Sequence, residues 1–210
     1  GALCNDAMLQ AEGAHPGQYR AVGDPTEGAL VVAAARFGLW KSTLETAYPR
    51  TDELPFDSDR KRMTTIHRIE DCGAWIADCA TITSPHIAFT KGSVDGLMTI
   101  ASAVWSDGRP VPLDSGWRQR IADANELLAG KGMRVLGVAF KPVDLAESGA
   151  SAAYSGKLDA FESGLILVGL VGMIDPPRPE VKDAVATCRA AGIRPVMITG
   201  DHPLTARQIA

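Results

Sequence analysis

The chain has 210 residues, of which 46% are hydrophobic and 22% are charged, and its formal net charge is −4. These proportions are typical of a folded globular protein and exclude a disordered or fibrous chain. The acidic balance offers no general basic surface for a phosphate backbone, so we expect no nucleic-acid partner. Four cysteines without zinc-like spacing indicate reduced thiols in a cytosolic setting.

The first predicted element is a helix that begins after Asp24. Asp24 suits the N-cap, Pro25 the first helical position and Glu27 the third, and Gly38 follows the apolar run as a stop signal. Further along, β-branched and apolar runs between residues 54 and 92 alternate with turn compositions. These runs, "RMTTIHRI", "AWIADC" and "HIAFTKG", predict antiparallel hairpins.

A second helix is predicted over residues 114–128, and a strand, "RVLGVAF", follows it at 134–140. The helix ends at "GKG", which is a typical terminator. Its predicted apolar face consists of Ile121, Ala124, Leu127 and Leu128. Residues 1–162 therefore predict an antiparallel sheet flanked by helices.

After residue 162 the pattern changes to strand, helix, strand and the start of a helix. The run 164–174 is shorter than the ~20 residues that span a bilayer, so we interpret it as a buried strand. A helix is predicted over 181–193 with Val181, Val185 and Cys188 on one face, then a strand over 194–201. This order is typical of a parallel sheet. The predicted fold class is α+β, with residues 163–210 as a truncated α/β segment.

Two turns at predicted strand ends carry residues suited to phosphate chemistry. "TGDHP" at 199–203 joins backbone amides, a hydroxyl and a carboxylate, which together can hold a phosphate and its magnesium ion. "DPPR" at 175–178 also follows a predicted strand, so both turns point to one edge. The alternative for the first turn is a glycine turn with an Asp N-cap.

Several single residues allow a structural alternative as well as a functional one. Lys91 and Arg134 lie at strand margins, where each either binds an anion or stays solvated. Glu27 either contacts a ligand or caps its own helix. Phe56 lies beside the charged run "DSDRKR" and is either a core residue or an aromatic face for a planar ligand.

Seven ordered blocks carry a resemblance to a known family. The blocks are "ALCNDA", "GDPTEGAL", "LPFDSDRKRM", "FTKGSVDGL", "GMRVLGVAF", "LVGMIDPPRPEVKDAV" and "GIRPVMITGDHPLTARQIA". Together they resemble the nucleotide-binding domain of P-type cation-transporting ATPases, followed by the start of the haloacid-dehalogenase-like phosphorylation domain. The resemblance is strongest to the calcium and sodium/potassium pumps. It implies a nucleotide-binding domain over 1–162 and the start of a phosphorylation domain over 163–210.

The resemblance implies a nucleotide site and a role for each matching residue. Phe56 matches the aromatic residue that stacks on adenine, Glu27 the acidic residue near the adenine amino group, and Lys91 the lysine on the deep side of the pocket. Arg134 matches the arginine that reaches the phosphates and bridges the domains, with Leu136 near the base. The full set is Glu27, Phe56, Lys61, Met63, Lys91, Gly92, Arg134 and Leu136.

The same resemblance implies a phosphate and interdomain set in the second segment, with ATP and Mg²⁺ as cofactors. Its members are Asp175, Arg178, Thr199, Gly200 and Asp201. The phosphorylated Asp of the family's "DKTGT" loop and the "GDGVND" magnesium site do not occur in this sequence. We therefore expect no catalytic residue and no complete metal site here, and no ATP turnover by the isolated chain.

The implied partners are ATP and the remaining phosphorylation, actuator and transmembrane domains of one pump, with this part on the cytoplasmic side of the membrane. The sequence departs from the family at Val94 and Asp95, where Pro and Glu are usual, and at Ser58, where some calcium pumps carry Arg. One alternative is a non-catalytic regulatory or interaction module of the same fold. Another is a free-standing phosphatase, which would need a "DxD" nucleophile that the predicted parallel strands lack.

Overall fold

A computed structural model describes residues 1–12, 18–69, 85–143, 161–174 and 178–198. The strands are β1 (Met8–Ala11), β2 (Tyr19–Val22), β3 (Arg50–Asp57), β4 (Arg62–Arg68), β5 (His86–Gly92), β6 (Ala101–Ser106), β7 (Arg109–Pro112), β8 (Arg134–Val143) and β9 (Leu165–Met173). The helices are α1 (Pro25–Arg36), α2 (Lys41–Ala47), α3 (Val94–Ile100), α4 (Ser115–Gly130) and α5 (Val181–Ala190).

Seven of these strands form one mixed sheet in the order β3-β4-β5-β8-β9-β6-β7, while β1 and β2 form a separate antiparallel pair. The pairs β3–β4, β4–β5, β5–β8 and β6–β7 are antiparallel, and β6–β9 is parallel. The predicted α+β class is confirmed, and the two predicted strands that lie within the described residues, β4 and β5, pair antiparallel with each other. The predicted strand at 74–79 lies outside the described residues.

The strand β9 is where the predicted second segment differs from the structure. The sequence assigns β9 to a separate parallel α/β segment, but it lies inside the seven-stranded sheet between β8 and β6. The strand predicted over 194–201 is wrong for its described part, since 194–198 form neither helix nor strand. Val196 and Ile198 are exposed there. A strand without a neighbour leaves its backbone groups unpaired, and both edges of β9 are already occupied.

The chain divides into two compact units. The first comprises Gly1–Arg118 and Leu136–Val171, and the second comprises Gln119–Val135 with the described residues from Gly172 onward. The domain boundary at residue 162 stays a prediction. Within the part of the chain that the structure describes, no helix is both long and apolar enough to cross a membrane.

The core of the first unit lies on both faces of its sheet. Strand β4 is buried from Met63 to His67, as expected for a strand with neighbours on both edges and packing on both faces. Ile87 and Ala88 are consecutive in β5 and therefore point to opposite faces. One hydrophobic cluster contains Leu3, Tyr48, Ile69, Ile87 and Phe140, and the other contains Leu54, Ile66, Ala88, Val143 and Phe161.

The three predicted helices that lie within the described residues all form, but one buries a different face; the helix predicted to begin at residue 203 lies outside them. In α4, Ile121 is buried and Leu128 is half-buried, whereas Leu127 is 61% exposed. At 100° per residue, Leu128 lies almost directly above Ile121 and Leu127 is turned well away from it. The prediction of Leu127 on the apolar face is therefore wrong. Helix α5 exposes Val181 but half-buries Val185 and Cys188.

Candidate functional site

An ion pair between a buried lysine and a partly buried glutamate joins α1 to β5. The Lys91 ammonium donates a short hydrogen bond to Glu27 Oε1. Lys91 is 6% exposed, so the alternative of a solvated surface charge is wrong for this residue. A buried charge is stable only when it is paired and hydrogen-bonded, and Glu27 supplies that partner. The structure thus brings two of the predicted site residues into direct contact.

The second oxygen of Glu27 holds the chain segment that precedes β1. Oε2 accepts hydrogen bonds from the backbone N–H of Asp6 at 2.9 Å and of Ala7 at 3.1 Å. The N-terminus of α1 is capped instead by Asp24, whose Oδ1 accepts from the N–H of Thr26 and of Glu27. The predicted Asp24 cap is confirmed. Glu27 reaches across to another segment, so the carboxylate orients Lys91 and fixes the backbone beside it.

Two further residues hold that segment in place, and sequence reasoning assigned a role to neither. Asn5 is fully buried; its Nδ2 donates to the Glu27 carbonyl at 2.9 Å and its Oδ1 accepts from the Ala7 N–H at 2.8 Å. The buried Lys41 Nζ donates to the carbonyls of Asn5 at 2.6 Å and Ala7 at 3.0 Å. The "ALCNDA" block was the one sequence signal for this arrangement, and nothing in the pattern around Lys41 indicated it.

Phe56, Met63 and Lys91, which the resemblance assigns to the nucleotide site, lie on three neighbouring strands. Met63 in β4 pairs with Lys91 in β5, which pairs with Val138 in β8. On the other side of Met63, the register of β3 shifts between Leu54 and Asp57. Such a bulge places two residues of one strand opposite one residue of its partner. Phe56 therefore lies opposite Met63, two strand spacings or about 10 Å from the β5 backbone at Lys91.

Phe56 is 65% exposed, so the alternative of a core residue is wrong. An exposed ring on a strand edge leaves its π-face free for a planar ligand. Met63, which pairs with Lys91 on the middle strand, is 2% exposed. This stretch therefore combines an open aromatic face with a buried cation.

Several hydrogen bonds hold the β3–β4 turn. Asp57 Oδ1 accepts from the N–H of Asp59 at 3.0 Å and of Arg60 at 2.8 Å. The Arg60 N–H bond is the main reason that the pKa of Asp57 lies below its ordinary value. Lys61 is exposed, has φ of 52°, and its carbonyl accepts from the Ser93 N–H at 3.0 Å. The Asp57 carboxylate is thus used within the turn.

Gly92 lies where β5 approaches this turn. A Cβ at Gly92 would lie 2.5 Å from the Arg62 Cβ and 2.6 Å from the Lys61 carbonyl oxygen. No side chain fits without moving β4. Glycine at this position therefore lets β5 approach the strand end that follows Lys61.

Comparison with known proteins identifies the family to which these residues belong. A family model described as "P-type ATPase, cytoplasmic domain N" matches residues 1–180. The chain belongs to this family. The chain is 39% identical over 208 residues to "Calcium-transporting ATPase 1" of Bacillus cereus, 38% over 210 residues to "Calcium-transporting ATPase" of Bacillus subtilis, and 42% over 211 residues to "Cation-transporting ATPase pma1" of Synechocystis.

The matches cover 99% to 100% of this chain but only 20% to 21% of each relative. The chain therefore spans about a fifth of the length of these P-type ATPases. The predicted family is confirmed.

The departure from the family pattern after the "KG" motif is accommodated by a helix start. Ser93 is the N-cap of α3, and its hydroxyl accepts from the Gly96 N–H at 3.3 Å. Val94 is the first helical residue, where the family's Pro is also favourable, and its side chain is 3% exposed. Asp95 lies in the first helical turn, where a negative charge is favourable. The substituted residues thus retain a helix at this loop.

The other predicted site residues of both segments fall into three groups. Leu136 lies in β8 next to Gly137, which pairs with Gly92, and is half-buried. Arg134 and Arg178 are exposed and belong to the second compact unit. Outside the described residues lie Asp175, Thr199, Gly200 and Asp201.

The Cys4 thiol is buried and donates to the Met63 carbonyl at 3.3 Å, and its burial raises its pKa. Cys4 is thus a packed, protonated thiol. Among the described side chains, no group of three or more His, Cys, Asp or Glu is arranged to hold a metal ion. The Mg²⁺ prediction depends on residues 199–201.

Proposed function

We propose that this chain binds ATP and presents it to a phosphorylatable Asp elsewhere in a P-type cation-transporting ATPase. The observation that carries the proposal is the exposed Phe56 ring in β3 together with the Lys91–Glu27 pair, whose lysine lies two strands away in β5. Phe56 offers its face to adenine, and such a stack contributes about 1–3 kcal/mol. Glu27 Oε1 keeps room for one more donor, such as an adenine amino group.

The charge of the site suits the rest of the nucleotide. The exposed Lys61 places a positive charge two residues before Met63, the charge of Lys91 is balanced by Glu27, and the Asp57 carboxylate is held within its own turn. Phosphoryl transfer depends mainly on positioning and on neutralising phosphate charge. This domain would supply the positioning. Arg134, Arg178 and the "TGD" residues are proposed to meet the phosphates; Asp201 would help to hold Mg²⁺, which would supply further neutralisation of phosphate charge.

The test is a nucleotide titration followed by NMR on the wild type and on Phe56→Ala. We expect Phe56→Ala to weaken ATP binding by about 5- to 150-fold, which corresponds to the loss of one stacked base. Adenosine should lose affinity by the same factor, because Phe56 acts on the base.

The matched control is Phe37→Ala. Phe37 is also a strongly exposed phenylalanine, at 84%, and lies at the C-terminal end of α1. Its removal should leave ATP affinity unchanged. If the wild type shows no nucleotide-dependent shifts, or if both variants behave alike, the chain is a regulatory or interaction module and the proposal fails.

A second measurement concerns turnover. We expect the isolated chain to bind ATP without hydrolysing it, because the proposed nucleophile lies in another part of the pump. A robust magnesium-dependent release of phosphate by the pure protein would contradict this division of labour.

A further inference from the structure

A buried carboxylate, Glu162, lies behind the β3–β4 turn and has no role in the site described so far. Its side chain is 1% exposed. Oε1 accepts from Arg60 Nη1 at 2.6 Å and from the Thr64 hydroxyl at 2.9 Å, and Oε2 accepts from Arg62 Nε at 2.7 Å. A single carboxylate thus accepts hydrogen bonds from two arginines, Arg60 in the turn and Arg62 at the start of β4.

Arg60 carries this contact forward to the β3 bulge. While Nη1 binds Glu162, Nη2 donates to the Pro55 carbonyl at 2.7 Å. A guanidinium is planar, so fixing one of its nitrogens on a carboxylate fixes the direction of the other. Pro55 is the residue immediately before Phe56. Glu162 therefore reaches the backbone of the exposed aromatic residue through one intervening side chain.

The position of Phe56 depends on this backbone more than on side-chain packing. Its ring is 65% exposed, so surrounding side chains cover only a minor part of it. Local hydrogen bonds must then determine where the bulge presents the ring. The far end of the turn is fixed separately, by the Ser93 N–H on the Lys61 carbonyl.

We propose that Glu162 is a positioning residue for the nucleotide site: through Arg60 and the Pro55 carbonyl it holds the β3 bulge so that Phe56 presents its face to the base. This inference rests on the proposed function. It assigns a binding role to a residue that touches no ligand.

The experiment is a double-mutant cycle on ATP affinity with Glu162→Gln and Phe56→Ala. Gln keeps the shape of Glu but cannot accept from both arginines, so we expect Glu162→Gln alone to weaken ATP binding by about 3- to 10-fold. In the Phe56→Ala background the same change should have almost no effect, because the ring that it positions is gone. If Glu162→Gln acted only by lowering overall stability, it would weaken ATP binding by the same factor in the wild type and in Phe56→Ala.

A second variant covers the case in which Glu162→Gln leaves two partly buried guanidinium groups without their carboxylate and fails to fold. Arg60→Lys keeps a positive charge for Glu162 but cannot fork to Pro55 as well. We expect it to weaken ATP binding by a similar factor, and to do so only when Phe56 is present. In the ligand-free variants, the chemical shift of the Phe56 amide should change most in the variant that loses the most ATP affinity.

The matched control is Lys141→Met. Lys141 Nζ donates to the carbonyl of Ser163, the neighbour of Glu162, at 2.9 Å. This change loosens the same segment without touching the link to Pro55, so affinity should stay within about twofold. The inference would be overturned if Lys141→Met weakened ATP binding as much as Glu162→Gln does, or if Glu162→Gln weakened it by the same factor with and without Phe56. In either case the wild type would still bind ATP and the proposed function would be unaffected. Absence of ATP binding by the wild type would overturn the proposed function, and this inference with it.

Discussion

Replacing Gly92 with alanine should separate β4 from β5 at the candidate site. The added methyl would lie 2.5 Å from the Arg62 Cβ and 2.6 Å from the Lys61 carbonyl oxygen. Carbon atoms normally pack at about 3.5–4.0 Å, so the strand end must shift by about 1 Å. That shift would stretch the Ser93 N–H bond to the Lys61 carbonyl and the Arg62 contact with Glu162, which are 3.0 Å and 2.7 Å long.

Overpacking of this kind lowers the free energy of unfolding by about 1–3 kcal/mol. With a urea m-value of about 2 kcal/mol/M, a 2 kcal/mol loss lowers the denaturation midpoint by about 1 M. The assay is urea unfolding of Gly92→Ala followed by circular dichroism. Because the β3–β4 turn moves with the strand, nucleotide affinity should fall in the same variant.

Gly169→Ala is the control for this prediction. Gly169 lies within β9 of the same sheet, has no positive φ, and a Cβ there would meet nothing within 4 Å. We expect this change to be neutral or to stabilise by up to about 1 kcal/mol. If Gly92→Ala were as stable as Gly169→Ala, the close-approach argument would be refuted.

Two further predictions concern the core. Burial lowers the pKa of His67 below its ordinary value of 6.5, so the unfolded chain binds more protons than the folded chain in this range. The free energy of unfolding should therefore fall as the pH drops below about 6.5. Urea titrations at several pH values measure this dependence, and His67→Gln should flatten it. A dependence that persists in the variant would point to another group. Phe161→Ala should lower the free energy of unfolding by about 3–5 kcal/mol, because its ring is fully buried in the cluster with Leu54 and Ile66. Phe37→Ala should change it by less than about 0.5 kcal/mol, because Phe37 is exposed. Calorimetry of the pair checks this difference, and equal melting temperatures would contradict it.

The elements with strong local signals could be predicted from the sequence. Helix α1 begins where Asp24, Pro25 and Glu27 indicate, and strands β4 and β5 occupy the β-branched runs. These signals are local, because capping and periodicity are properties of neighbouring residues. The helix α3 was not predicted, because "KGSVDG" contains glycine and short polar residues that are equally typical of a turn.

Strand β9 shows where local pattern is insufficient. Its apolar run predicts a strand correctly, although only Leu165 and Leu167 are buried and Val168 is 48% exposed. An apolar run does not specify which strands lie beside it. Only the tertiary structure places β9 between β8 and β6. The region after α5 shows the converse, because "RPVMI" has strand composition and forms no strand within its described residues.

The sequence by itself determined the family, the α+β class and the residue types of the site, since motif order and composition are carried by the chain directly. The tertiary structure decided which side chains are in contact. It paired Lys91 with Glu27 across 64 positions and Arg60 with Glu162 across 102. It also exposed Phe56 at a bulge while burying Met63 opposite it. Contacts at such separations depend on strand register and burial, and a local sequence pattern contains neither.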